Sequence, residues 1–135
     1  MNDWNKQIIA QFHANGGKNV SMFGDNLLLL KTTGVKSGEE RINPLAFSKD
    51  ANRYVIIASY GGAPKNPAWY HNLVNNPVTT IEVGSEKLQV RASEVKGEKR
   101  DQLYAAHAAL FPTFNEYQEK TTRKIPVILL ERVTS

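Results

Sequence analysis

Runs of strand-forming residues come in neighbouring pairs along this chain, and that spacing constrains the fold more than any other feature. Residues 26–33, rich in Leu and Thr, pass through the polar turn Gly34-Val35-Lys36-Ser37-Gly38-Glu39-Glu40 into a strand over 41–49. After Asp50-Ala51-Asn52 comes 53–59, where Tyr54-Val55-Ile56-Ile57-Ala58 is short, apolar and β-branched. Residues 78–83 and 87–95 read as a hairpin around Gly84-Ser85, and 125–133 closes the chain as a strand. Connections this short join antiparallel strands, whereas a doubly wound parallel sheet needs a helix between successive strands. The expectation is a small antiparallel barrel of roughly six strands with helices on its outside.

The helical pieces are fewer. Over 3–15, Trp4, Ile8 and Phe12 fall at i, i+4 and i+8 with Ile9 beside them, and Gly16-Gly17 ends the helix. Pro67 suits the first position of a helix capped by Asn66 that stops before Pro77. A helix over 97–110 places Leu103, Ala106 and Leu110 on one side, and a shorter one covers 113–120. With no repeat, linker or composition break in 135 residues, one domain spans 1–135, its N-terminal helix at about 3–15 and its barrel at about 26–133.

Composition removes several chemistries. There is no cysteine, hence no disulfide, thiolate metal site or cysteine nucleophile. His13, His71 and His107 lie far apart, none beside an acid at metal-ligand spacing, so no metal is expected. Gly34-Val35-Lys36-Ser37 lacks the glycine directly before lysine that a Walker loop needs, and neither G-x-S-x-G nor G-x-G-x-x-G occurs. The net charge of +4 favours an anionic ligand without indicating nucleic acid. Charges stand near the start, where a signal peptide needs an apolar run, and the longest such run, Leu27-Leu28-Leu29-Leu30, is far short of a membrane span. A cytoplasmic chain is expected, with peripheral membrane contact left open.

Three segments carry chemistry. In the turn that begins at Gly34, glycines let backbone N–H groups face an anion, Thr33 and Ser37 add hydroxyls, and Lys36 and Arg41 add charge. The plain alternative is a polar hairpin with both cations in solvent. Next, the strand ending Ser59-Tyr60-Gly61-Gly62 offers close backbone approach to a flat ligand, and Trp69 and Tyr70 follow on a helix. The alternative there is a loop beside a core-packing helix. Finally, Phe114 and Tyr117 share a helix face and could wall a flat pocket or simply pack onto the barrel. Together they outline a basic, glycine-lined groove leading to an aromatic pocket. A phosphate at one end and a planar ring at the other would suit it.

In these residues the chain resembles the deazaflavin (F420)-dependent nitroreductases, small split β-barrel oxidoreductases of the FMN-binding split-barrel type. The resemblance rests on Thr32-Thr33-Gly34-x-Lys36-Ser37-Gly38, Arg41, Asn43-Pro44-Leu45, Ser59-x-Gly61-Gly62, Asn66-Pro67-x-Trp69-Tyr70-x-Asn72-Leu73, Asn76-Pro77, Tyr117 and Arg123-x-Ile125-Pro126. It implies a six-stranded split barrel that binds reduced coenzyme F420, an 8-hydroxy-5-deazaflavin, and delivers hydride to a quinone, nitroaromatic or enone. It assigns the cofactor to Thr33, Lys36, Ser37, Gly38, Arg41, Asn43, Pro44, Ser59, Gly61, Gly62, Trp69 and Asn72. Tyr117 and Tyr60 are the candidate proton donors. A homodimer is left open. The alternatives are an FMN-binding split-barrel oxidoreductase and a non-catalytic cofactor-binding protein.

Overall fold

A computed structural model describes residues 3–133. Helix α1 (Asp3–Ala14) precedes strands β1 (Leu27–Thr33), β2 (Glu40–Ala46), β3 (Ser48–Asp50) and β4 (Arg53–Ile57). Helix α2 (Ala68–Asn75), strands β5 (Val78–Val83) and β6 (Glu86–Val95), helices α3 (Gly97–Leu110) and α4 (Thr113–Glu119), and strand β7 (Val127–Arg132) complete it. Short 3₁₀ turns lie at Ser21–Phe23 and Tyr60–Gly62.

All strand pairs are antiparallel, in one seven-stranded sheet of order β2-β1-β5-β6-β7-β4-β3. The two edge strands, β2 and β3, are separated in the chain by Phe47 alone. A sheet whose opposite edges are one residue apart must curl until those edges meet, and this makes the split barrel. The strand expected over 41–49 is therefore two strands, and the sheet has seven strands instead of six. The break has a local cause. Phe47 is buried, its N–H donates to Asn26 O at 2.9 Å, and Asn26 Nδ2 donates to Phe47 O at 3.1 Å. Beyond this clamp the chain leaves β1 and pairs with β4.

The four leucines of β1 are all essentially inaccessible because both faces of the strand are covered. Leu28 and Leu30 join Ile56, Ile81, Val90 and Leu130 in the main core, while Leu27 and Leu29 meet Ile8 and Phe12 of α1. Burying each such side chain contributes roughly 1.5–3 kcal/mol. A third cluster sets Leu103 and Tyr104 of α3 against Val55, Ile57, Val127 and Leu129.

Two helices differ in detail from expectation. On α3 the buried face is Arg100, Leu103, Tyr104, His107 and Ala108, while Ala106 and Leu110 stand exposed. Most polar atoms of the buried face find partners: Arg100 donates to Ile125 O and Gln118 Oε1, Tyr104 to Phe114 O, and His107 Nδ1 lies 2.8 Å from Ser48 Oγ, while His107 Nε2 has no hydrogen-bond partner among the described residues. Pro67 is the extended residue that precedes α2, not its first helical residue, and Asn66 does not cap it. The Asn66 side chain instead accepts from Arg123 Nη1 at 2.6 Å.

Candidate active site

A cavity of about 1230 Å³ opens along β2, between α1 and the α3–α4 corner. Ligand pockets commonly measure about 300–1,000 Å³, so this cavity exceeds the usual size for a single small ligand. Its basic end is the β1–β2 turn. Gly34 N–H donates to Glu39 O at 2.8 Å and Gly38 N–H to Gly34 O at 2.9 Å, which closes the turn without the charged side chains. Ser37 Oγ accepts from Glu39 N–H at 3.1 Å and keeps its own proton for another acceptor. Lys36 has no ion-pair partner among the described residues, and Arg41 meets the exposed Glu39 carboxylate at 3.3 Å. Asn72 braces this turn from α2. It is buried, its Oδ1 accepts from Val35 N–H at 3.2 Å, and its Nδ2 donates to Thr32 Oγ1 at 3.2 Å.

The floor is formed by β2 and by the end of β4. Asn43 and Pro44 lie on β2, an edge strand, where a proline without N–H disturbs no second ladder. Across from them Ser59, Tyr60 and Gly61 line the cavity. Ser59 has helical torsions (φ −73°, ψ −38°), and Tyr60 is left-handed at φ +48°, a conformation that costs a non-glycine residue roughly 1–3 kcal/mol. A Cβ built at Gly61 would meet nothing within 4 Å. Beneath the turn lies Arg123. Its Nε donates to Ala63 O at 2.9 Å, and Nη2 donates to Ser59 O at 2.8 Å and to Ala58 O at 3.3 Å. Burial holds its pKa below the usual arginine value.

The far end is apolar. Phe111, Phe114 and Tyr117 form one wall, with Phe114 and Tyr117 edge to face at 5.2 Å. Trp4, Met22 and Phe23 form the other, Trp4 against Phe23 at 6.3 Å. The hydroxyls of Tyr60 and Tyr117 have no protein partner among the described residues, which leaves both available to a ligand. Tyr70 is not a wall residue: its hydroxyl donates to Glu94 outside the cavity, and that hydrogen bond pushes its pKa up to about 12.

The sequence pattern of the F420H(2)-dependent quinone reductases matches residues 4–132. This chain belongs to that family. It is 40% identical over 113 residues to an F420H(2)-dependent quinone reductase of Mycobacterium tuberculosis, an alignment spanning 78% of this chain and 72% of that protein. A solved F420-H2 dependent reductase superposes with a TM-score of 0.72 at 38% identity, covering 78% of this chain and 94% of its own. A solved domain-swapped dimer superposes at 0.74 and 34% identity, covering 96% and 98%.

Of the residues the resemblance singles out, the cavity gathers Lys36, Ser37, Arg41, Asn43, Pro44, Ser59, Tyr60, Gly61, Trp69, Asn72 and Tyr117. Three of the expected residues lie off it. Thr33 is exposed and pairs with Glu40, and Thr32 is the residue that meets Asn72. Gly38 turns the hairpin, and Gly62 is buried against α4. The wall of Trp4, Met22 and Phe23 was not foreseen, because that resemblance starts at about residue 27. Arg123 stood in the motif without a role. A Gly- and Pro-rich loop whose carbonyls lack ladder partners needs a multivalent donor, and that need was the available signal.

Proposed function

We propose that this protein is an F420H(2)-dependent quinone reductase working in the cytoplasm, with Lys36, Ser37 and Arg41 holding the anionic tail of the coenzyme. The carrying observation is one continuous cavity that is cationic at the β1–β2 turn, backbone-lined at Ser59 to Gly61, and aromatic beyond. The groups present fit the coenzyme: Lys36, the Ser37 hydroxyl and Arg41, which only an exposed Glu39 contacts, would meet a phosphate, and the missing Cβ of Gly61 leaves space for a flat ring. When bound in reduced form, F420 supplies the hydride that, with a proton, converts a quinone to a hydroquinone.

The chain's own groups would do the rest. Trp69, buried at the cavity floor, fixes the depth at which a ring can lie. Asn72 keeps the basic turn in register through Val35. Phe111 and Phe114 would exclude water from the acceptor side, and the Tyr117 or Tyr60 hydroxyl, each unpartnered among the described residues, would hand a proton to a quinone oxygen. A homodimer belongs to the same reading, given the domain-swapped dimer among the solved relatives. No helix among the described residues is long and apolar enough to cross a membrane. Peripheral contact with one is supported by the exposed Trp4, Met22 and Leu110 at the cavity mouth.

Titration of the purified protein with F420, FMN and NADPH, followed by ligand fluorescence, tests the cofactor. Tightest binding of F420, with quinone-dependent reoxidation of the bound reduced form, is the expected result. Equal or tighter binding of FMN would replace the cofactor assignment.

A further inference from the structure

Arg123 is the least expected group near the cavity. It touches no carboxylate among the described residues, and its partners are the carbonyls of Ala58, Ser59 and Ala63 and the Asn66 amide oxygen. No peptide bond is cis, so in each of these peptides the N–H points opposite to the C=O. The peptide joining Ala58 to Ser59 turns its oxygen to Arg123 and must turn the Ser59 N–H away. The next peptide does the same with the Tyr60 N–H. Neither N–H, nor that of Gly61 just after them, has an acceptor among the described residues, although the neighbouring Ala58, Gly62 and Ala63 N–H groups are all satisfied. The residues that carry them line the cavity. The torsion sequence of a right-handed Ser59 followed by a left-handed Tyr60 makes successive N–H groups converge into an anion-binding concavity.

We infer that Arg123 is a positioning residue that, by drawing the carbonyls to its own side, fixes the Ser59 and Tyr60 N–H groups as a paired donor for one electron-rich oxygen in the cavity. The inference rests on the proposed function and deepens it. Ligand oxygens of this chemistry come from two sources, a ring carbonyl of F420 and an oxygen of the quinone. The guanidinium suits the task because its planar fork reaches several carbonyls at once, and a lysine ammonium in its place is a point charge without that fork. The turn's strain is consistent with this arrangement, since Tyr60 keeps φ +48° between the Arg123 clamp and the close packing of Gly62 on α4.

The test needs no turnover. The amide resonances of the ¹⁵N-labelled full chain are followed while oxidised F420 and a soluble quinone are added in separate titrations. The Ser59 and Tyr60 amide protons should both move downfield at saturation with one of the two, and that arm identifies the source. Movement at Lys36 and Arg41 without movement at Ser59 and Tyr60 overturns the paired donor and leaves the proposed function standing. No movement anywhere with F420 overturns the proposed function itself. In Arg123→Lys the downfield shifts should be lost and affinity for whichever of the two ligands causes them should fall about tenfold, the size expected for one well-aligned hydrogen bond. Arg41→Ala should weaken binding yet keep both shifts at saturation. Should Arg123→Lys fail to fold, Asn66→Ala removes one anchor of the guanidinium and should shrink both shifts. Full-size shifts in either folded variant would end the role assigned to Arg123.

Discussion

The two turns that meet the cavity from opposite ends are built in opposite ways. The turn between β1 and β2 closes through its own backbone, and it offers the ligand side chains: Lys36, Ser37 and an Arg41 that is about half exposed. The turn after β4 does not close itself. It is gathered by Arg123 from β7's approach and wedged against α4, and it offers the ligand backbone. A side chain can be removed from the first with its shape kept. The second loses its shape when any neighbour moves, so stability and binding are joined there and separate at the other end.

The sharpest break of that comparison is a pair of glycine substitutions. Both glycines are left-handed, Gly38 at φ +71° and Gly62 at φ +83°. A Cβ at Gly38 meets nothing within 4 Å, whereas one at Gly62 would lie 2.8 Å from Tyr117 O and 3.1 Å from Tyr117 Cα. Gly38→Ala should therefore cost only the left-handed strain, roughly 1–2 kcal/mol. Gly62→Ala should add roughly 1–3 kcal/mol of overpacking against backbone that cannot swing aside. Thermal melts of the two variants measure this. Equal losses would mean that the second turn is not wedged.

Acid should distinguish the two ends next. His107 is fully buried behind Phe111 and Phe114, and burial lowers its pKa to about 4 from an ordinary 6.5. Because the folded value is depressed, the unfolded chain takes the proton first. The stabilisation is complete above about pH 6.5 and is lost as the pH falls towards 4. Between pH 7 and 5, above where ordinary carboxylates protonate, roughly 2 kcal/mol should disappear. Denaturant unfolding at the two pH values tests it, and His107→Leu should flatten the difference. A wild-type stability independent of pH over this range would show that the imidazole is hydrated.

The comparison also explains what was legible in the sequence. The first turn announces itself because its chemistry belongs to side chains, and Lys36, Ser37 and Arg41 all line the cavity. The second was half legible. Ser59 and Gly61 line the cavity, but Gly62 serves packing on α4. The donor direction of Ser59 and Tyr60 is set by Arg123, more than sixty residues away, and no residue type encodes it. The division of the strand at Phe47 was hidden for a related reason: the clamp comes from Asn26, and only the closed sheet brings the two together. Leu110 misled the reading of α3 because apolar spacing cannot tell a core face from a cavity mouth.

Arg41→Ala should have a smaller effect than either change above and a different kind. A charge-assisted hydrogen bond is worth roughly 1.5–3 kcal/mol. The lower end applies here because Arg41 is half exposed and its Glu39 contact must be given up on binding. F420 affinity should fall about tenfold. Thermal stability should be unchanged, since the turn closes without this side chain. Loss of stability in step with affinity would make the first turn like the second.

The smallest effect sharpens the same point from the other partner. Glu39 holds Arg41 at 3.3 Å with about two-thirds of its own side chain exposed, so the pair contributes little to folding, roughly 0.2–1 kcal/mol. Before an anionic tail binds, however, the carboxylate both occupies the guanidinium and repels the incoming charge. Glu39→Gln removes both effects and keeps the backbone N–H that Ser37 Oγ accepts from. F420 affinity should therefore rise by a few-fold, corresponding to about 0.5 kcal/mol. The gain should shrink in added salt, because an exposed repulsion is screened over a Debye length of about 8–10 Å. The ring end should not notice. A truncated deazaflavin lacking the phosphate and its tail should bind Glu39→Gln and wild type alike. If the truncated ligand gained as much as the intact one, Glu39 would be acting on the turn's shape, and the first end would no longer be a site of side chains alone.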